Sequence, residues 1–197
     1  MIETLDQSHR EEVLDVLGAA FSQHPLLPPD PSGGKARLMV KAILDAFRDA
    51  PDANTFGIRK EGRICCAAFV YDAAYEPRGL RLIQFLLRMV RIAGWRMTRT
   101  FAEVLSETPK SEDRRLEFML LGTRSADQKS GLGRRMMHHV LSFACDRGYE
   151  SVVLGVAKAT PAHGFYLREG FQLEKEVPLP KMPLCLLRRP LADDSSS

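Results

Sequence analysis

Residues 116–141 read LEFMLLGTRSADQKSGLGRRMMHHVL, an apolar strand pattern that passes through a glycine-bearing loop into a helical pattern, and no other stretch constrains the fold as much. The loop, Gln128-Lys129-Ser130-Gly131-Leu132-Gly133-Arg134, sets two glycines at a helix start. Glycine permits positive φ there and lets a ligand approach the backbone closely. The free amides and positive dipole of a helix N-terminus favour an anion, and Lys129, Arg134 and Arg135 add charge beside it. A pyrophosphate suits these features. Neither nucleotide signature accounts for them: a P-loop needs Gly-Lys-Ser/Thr, and a dinucleotide fingerprint needs a third glycine where Met136 stands. Taken alone, Gly131 and Gly133 would also serve a tight strand-to-helix turn.

On either side, the patterns are those of an α/β (α+β) chain. Residues 2–5 suit a short strand, and Ser8-His9-Arg10-Glu11 fits a capping box. The next helix is expected to face the core with Val13, Leu17, Ala20 and Phe21 and to stop before Pro25. Four prolines and two glycines between 25 and 34 predict a rigid connecting loop. A second helix is expected over 35–49, with Met39, Ile43, Ala46 and Phe47 inward. Strands over 55–59 and 64–71 flank Glu61-Gly62 as a hairpin. A long helix over 80–105 and a polar loop over 106–114 lead to a strand at 116–121. A helix over 132–147 presents Leu132, Met136, Val140 and Phe143 to the core and ends at Gly148. A β-branched strand at 151–156 completes a βαβ unit. A short helix at 161–168 and strands at 171–176 and 184–188 finish a single domain over 1–191, with a disordered tail over 192–197.

Composition excludes several function classes. A formal net charge of +3, with dispersed basic residues, gives no stripe for nucleic acid. Cys65, Cys66, Cys145 and Cys185 have neither zinc-ligand nor disulfide-framework spacing, and no metal is expected. The charged N-terminus, MIETLDQSHREE, lacks the apolar stretch of a signal peptide, which predicts a cytoplasmic protein. Arg81, Arg88, Arg91, Arg96 and Arg99 interrupt the apolar 80–105 segment and exclude a membrane span. Arg81, Gln84, Arg88 and Arg91 predict a solvated polar stripe on that helix, a membrane-surface helix being the alternative. Trp95 reads as a core residue, with a place in an acceptor pocket as the alternative.

Gln128-x-x-Gly131-x-Gly133 after an apolar strand resembles the Q/R-x-x-G-x-G/A acyl-CoA signature of the GNAT acetyltransferases. Downstream, Phe165-Tyr166-Leu167-Arg168-Glu169-Gly170-Phe171 resembles that family's F-Y-x-x-x-G-F element. The specific resemblance covers 116–171. It implies the GNAT acyl-CoA N-acyltransferase fold, a mixed central sheet with helices on both faces, and acetyl-CoA as cosubstrate with no metal. Backbone groups of Leu121, Gly122 and Thr123 would pair with the pantetheine and acetyl carbonyl. Gln128, Lys129, Ser130, Gly131, Leu132, Gly133 and Arg134 would hold the pyrophosphate. Tyr166 is the family-matched acid for the departing thiolate, and a packing tyrosine is the alternative. Glu117 stands eleven residues before Gln128, a spacing similar to that of the catalytic glutamate in histone-acetylating members. Desolvation in an apolar strand would raise its proton affinity, as suits a base near neutrality; a carboxylate facing solvent is the alternative.

The chain departs from the family pattern in two places. The asparagine common before the tyrosine is absent from Ala159-Thr160-Pro161-Ala162-His163, leaving Thr160 as the candidate for its pantetheine contact. Arg124-Ser125-Ala126-Asp127 lacks the proline common after the strand. The run Phe21-Ser22-Gln23-His24-Pro25-Leu26 is similar to a segment of GNAT enzymes that modify small amines, puromycin-type acetyltransferases among them, and His24 falls where such enzymes cover the acceptor. The resemblance therefore implies direct acetyl transfer to the primary amine of a small molecule in a ternary complex. A protein or peptide N-acetyltransferase and a non-catalytic acyl-CoA-binding sensor are the alternatives, and a homodimer is left open.

Overall fold

The computed structural model describes residues 1–22, 27, 30, 32, 34–95, 98–99, 113–179 and 183–191. His24, most of the proline loop, most of the 106–114 loop and the 192–197 tail lie outside them. Seven strands form one mixed sheet: β1 (Ile2–Thr4), β2 (Asn54–Lys60), β3 (Arg63–Asp72), β4 (Arg115–Thr123), β5 (Ser151–Ala157), β6 (Gln172–Val177) and β7 (Leu184–Pro190). Their order is β1-β2-β3-β4-β5-β7-β6, and among the described residues only β4 and β5 pair in parallel. The helices are α1 (Arg10–Phe21), α2 (Gly34–Phe47), α3 (Gly79–Ala93), α4 (Leu132–Asp146) and α5 (Pro161–Arg168).

The sheet is covered on both faces because its central strand is apolar on both. Along β3, Ile64, Ala67, Phe69 and Tyr71 join the cluster packed by α1, α2 and α3, while Cys66, Ala68 and Val70 join the one packed by α4 and α5. Such unbroken apolar strands belong to sheets with two covered faces. Burying a leucine such as Leu17, fully enclosed between α1 and the sheet, contributes about 1.5–3 kcal/mol.

An irregularity in the β3–β4 ladder decides which way the β4 side chains point. Phe69 pairs with Leu120 but Val70 pairs with Phe118, so Met119 is an extra residue in β4. Before it, Leu116 and Phe118 face α4. After it, Leu120 faces α1–α3, as does Gly122, where an added Cβ would come within 2.8 Å of the Ala20 Cβ and 3.0 Å of Leu17 Cδ2. Glycine at 122 is what allows α1 to lie this close to β4.

Several expectations change. Asp6 caps a 3-10 turn, Gln7–His9, ahead of α1, its Oδ1 accepting the Ser8 amide at 2.9 Å and the Ser8 hydroxyl at 2.5 Å, and His9 at the N-cap of α1 itself makes no side-chain cap bond. No Ser8–Glu11 box forms, because Glu11 instead accepts from Arg37. The inward face of α1 is Val13, Leu14, Val16, Leu17 and Gly18, and Ala20 is exposed. On α4, Met137, Leu141 and Ala144 join Met136 and Val140 in the core, leaving Leu132 and Phe143 partly buried. Helix α3 stops at Ala93, where Gly94 takes φ +82°, rather than running to 105. The expected polar stripe is present, with Gln84, Arg88 and Arg91 exposed and Arg81 half-buried, and Arg81 and Arg88 also reach Asp49 and Asp45 of the α2 region. Leu80, Ile83 and Leu87 of α3 are exposed as well, at 69%, 54% and 55%. Trp95 is 70% exposed and outside the core. Among the described residues no helix is long and apolar enough to cross a membrane.

Candidate active site

Strands β4 and β5 pair only at Arg115–Ser151, Leu116–Val152 and Glu117–Val153. Beyond that point β4 stays with β3 as far as Thr123, and β5 stays with β7 as far as Ala157. The sheet thus divides into two wings, with a wedge between residues 118–123 and 154–157. Backbone groups on the facing edges of the wedge have no ladder partner there, and such groups demand one. An extended ligand carrying amides is what two open strand edges accept.

Glu117 sits at the closed end of the wedge, between Tyr71 of β3 and Val153 of β5, on the face covered by α1–α3. Its side chain is half-buried and receives no hydrogen bond from the described residues. Desolvation accordingly raises its pKa from an ordinary 4.5 to about 8. Burial likewise pushes the Tyr71 phenol upward, and the Glu117 charge adds to it.

Tyr166 lies on the other face. Its ring packs against Phe165, Phe171 and Phe118, with centroids 5.3, 5.6 and 6.4 Å away. Burial, with a smaller contribution from Cys66, raises its phenol above the ordinary value, so it holds its proton at neutral pH. Cys66 in turn pairs with Thr123 at the wide end of the wedge and accepts the Thr123 hydroxyl at 3.4 Å. Glu117 and Tyr166 are therefore not in contact; they flank β4 from opposite faces.

The loop after β4 has the conformation its glycines suggest, with one addition. Gly131 is the N-cap of α4 at φ +82°, and Lys129, a non-glycine, also takes positive φ, +61°. Left-handed residues at 129 and 131 turn successive amides toward one side, a concavity suited to anions. Gly131 carries no side-chain cap, so the first amides of α4 stay free. A Cβ at Gly133 would meet nothing within 4 Å: the glycine is not needed for packing within the protein, and the space beside it is open to a ligand. Lys129, Ser130, Arg134 and Arg135 surround it, all four exposed.

Some anchoring residues escaped the sequence reading. Glu169, buried at 8% exposure, accepts from Arg134 Nε at 2.7 Å and lies 3.3 Å from His138 Nε2. Burial alone would raise its pKa, but these bonds outweigh burial and hold the carboxyl below its ordinary value. The pair ties the helix carrying the anion loop to the segment carrying Tyr166. Its only sequence signal is an acidic residue inside the F-Y-x-x-x-G-F element, a position that pattern leaves open. Asp127, also buried, lies 3.6 Å from Lys60, and Arg124 Nε donates to the Ile64 carbonyl at 2.7 Å; together these fix the loop that lacks the usual proline. Gln128 Nε2 donates to the Thr123 carbonyl at 3.4 Å. Thr160 stands at the end of β5 as the N-cap of α5, its hydroxyl donating to the Ala157 carbonyl at 2.7 Å and keeping acceptor capacity. His163 is half-buried in the first turn of α5.

Comparison with known proteins agrees with this geometry. No curated protein matches the sequence. Solved structures do. The histone acetyltransferase HPA2 and related acetyltransferase of Corynebacterium glutamicum superposes with a TM-score of 0.71 at 21% identity, covering 99% of this chain and 98% of its own. A polyamine N-acetyltransferase of Drosophila melanogaster gives 0.66 at 17% identity, with 97% and 99% covered. The ribosomal-protein-S18-alanine N-acetyltransferase of Escherichia coli gives 0.59 at 13%, with 100% and 97% covered. At these identities the likeness speaks for the fold, and the named acceptors range from polyamines to a protein. The family pattern described as the acetyltransferase (GNAT) family matches residues 26–171, most of the chain, and the protein belongs to that family.

Proposed function

We propose that this acetyltransferase carries the acetyl group of acetyl-CoA directly to the primary amine of a small molecule, both substrates being bound at once. The observation that carries the reading is the wedge between β4 and β5, with a desolvated carboxyl at its closed end and an uncapped, glycine-bearing helix start beyond its wide end. Amides from Lys129 to Arg134 hold the pyrophosphate, helped by the Lys129 and Arg134 charges. Leu121, Gly122 and Thr123 offer the backbone edge that pairs with pantetheine, with an amide there opposing the negative charge that develops on the acetyl oxygen, a contribution of about 3–4 kcal/mol in comparable sites. Thr160 stands ready at the facing edge. Glu117 takes the proton that the amine must lose as its nitrogen bonds to the acetyl carbon. Tyr166 gives a proton to the sulfur as the carbon–sulfur bond breaks. Their positions on opposite faces of β4 let base and acid serve the two ends of one tetrahedral carbon.

Two experiments test this reading. Acetyl-CoA is expected to raise the melting temperature of the wild type with saturation, and Gly133→Val to abolish that rise without lowering the melting temperature of the free protein. Absence of any thermal or calorimetric response of the wild type to millimolar acetyl-CoA would sink the reading. For the acceptor, small amines are expected to outrun lysine peptides when assayed at equal amine concentration. Structures similar to this chain include a polyamine and an agmatine N-acetyltransferase, which supports a small amine. A peptide kcat/KM ten-fold above every small amine, about 1.4 kcal/mol of transition-state preference, would turn the assignment to a peptide acceptor.

A further inference from the structure

Leu80, Ile83 and Leu87 recur at i, i+3 and i+7, so the exposed apolar side chains of α3 form one crest, while Phe85, Met89 and Ile92 bury on its opposite side. Single exposed leucines are ordinary, but an apolar run along one helix face marks a contact surface. Beside the crest, α2 and α3 enclose a groove of about 480 Å³ lined by Arg48, Arg78, Arg81 and Arg88, with Asp45 and Leu80. Carboxylates neutralise only part of this charge. Asp45 is shared by Arg88, at 2.5 Å, and Arg10. Asp49 is shared by Arg81 and, at 3.5 Å, Arg48. Arg78 and Arg91 have no ion-pair partner among the described residues. Arg78 is also the N-cap of α3, which has no side-chain cap and no acidic residue in its first turn, so the positive end of the helix adds to the same groove. The two arginines are thirteen positions apart, which places them about 20 Å from one another at opposite ends of the crest.

A free small anion would explain the arginines but leave the crest uncovered. A second copy of the chain would cover the crest but bring like charges together. An anionic lipid surface satisfies both, because an interfacial helix buries its apolar face at the acyl boundary while its cations meet the phosphates. We propose that α3 docks this protein on an anionic phospholipid surface, the α2–α3 groove receiving lipid phosphate and Leu80, Ile83 and Leu87 entering the acyl boundary.

The test is co-sedimentation of the full chain with vesicles of phosphatidylglycerol and phosphatidylcholine, against vesicles of phosphatidylcholine alone. Binding is expected to the anionic vesicles only, and to be lost between about 0.1 M and 1 M salt. Arg78→Glu and, separately, Ile83→Glu with Leu87→Glu are each expected to weaken it by about ten-fold or more, with the acetyl-CoA thermal shift retained as evidence of an intact fold. Three results would overturn the proposal: no anionic-vesicle binding by the wild type, stabilisation by tripolyphosphate without vesicle binding, or a dimer in sedimentation velocity that Ile83→Glu dissociates while vesicles remain unbound.

Discussion

Glu117→Gln is expected to lower kcat near neutral pH by about 10² to 10⁴ and, in the same protein, to raise stability at alkaline pH. Both effects follow from one cause. The carboxyl sits among apolar neighbours with no hydrogen-bond donor among the described residues, and desolvation raises its pKa from 4.5 to about 8. A base of that strength takes a proton from an attacking ammonium group far better than an exposed carboxylate, so the wild-type rate should climb with pH through about 8 and then level. Glutamine removes the proton acceptor and with it that inflection. For stability, the folded state binds the Glu117 proton more tightly than the unfolded chain. The neutral group is tolerated below about pH 4.5; between 4.5 and 8 the wild type progressively loses stability as the unfolded state ionises first, and above 8 the loss is complete. At about 1.4 kcal/mol for each pH unit of that interval, it amounts to at most about 5 kcal/mol. The isosteric amide escapes it, so melting curves of the two proteins should coincide near about pH 4 and diverge by about pH 9 in favour of Glu117→Gln. Parallel rate profiles together with parallel melting curves would show that the carboxyl is neither desolvated nor used.

The second large effect is expected from Tyr166→Phe: a loss of about 10² to 10⁴ in turnover with acetyl-CoA binding kept. The phenol ring makes its contacts with Phe118, Phe165 and Phe171 through carbon, and phenylalanine preserves them. The hydroxyl has no hydrogen-bond partner among the described residues, so its removal leaves no protein group unsatisfied and stability should hold or rise slightly. The thiolate then has to depart without a proton donor. Turnover equal to that of the wild type, measured with the chemical step limiting, would reduce Tyr166 to a packing residue. Loss of the thermal shift together with turnover would instead assign it to cofactor binding.

The anion loop was legible because its signal is local. Gly131 needs positive φ and Gly133 needs an open side, and both requirements are met within a few residues of sequence. The hairpin and the strands on either side of α4 were legible for the same reason, since alternation and length show in a short window. The wedge was not. Residues 118–123 and 154–157 have the composition of paired strands, and their separation depends on how the β1–β4 and β5–β7 wings of the sheet diverge, a non-local property. The Arg134–Glu169 pair spans 35 positions and likewise has no local signature. At α1, Ser8 and Glu11 had the spacing of a capping box, but Asp6 offered a carboxylate closer to the Ser8 amide and Arg37 offered Glu11 a cation; tertiary partners prevailed over a local motif. On α3, the polar stripe was legible from its spacing and Gln84, Arg88 and Arg91 are exposed, but the pairing of Arg81 and Arg88 with Asp49 and Asp45 is a tertiary contact with no local signal.

Met119 gives β4 a change of phase. Upstream of it, odd-numbered residues point toward α1–α3; downstream, even-numbered ones do. Deleting Met119 itself would restore simple alternation and leave Leu120 and Gly122 on their present face. Deleting Leu120 or Leu121 would likewise remove the one extra residue between Phe118 and Gly122 and keep Gly122 against α1, at the point where only a glycine now fits. An alignment that counts β4 straight through would accordingly exchange the strand's inner and outer residues from 120 onward, and with them the backbone groups assigned to the acetyl donor.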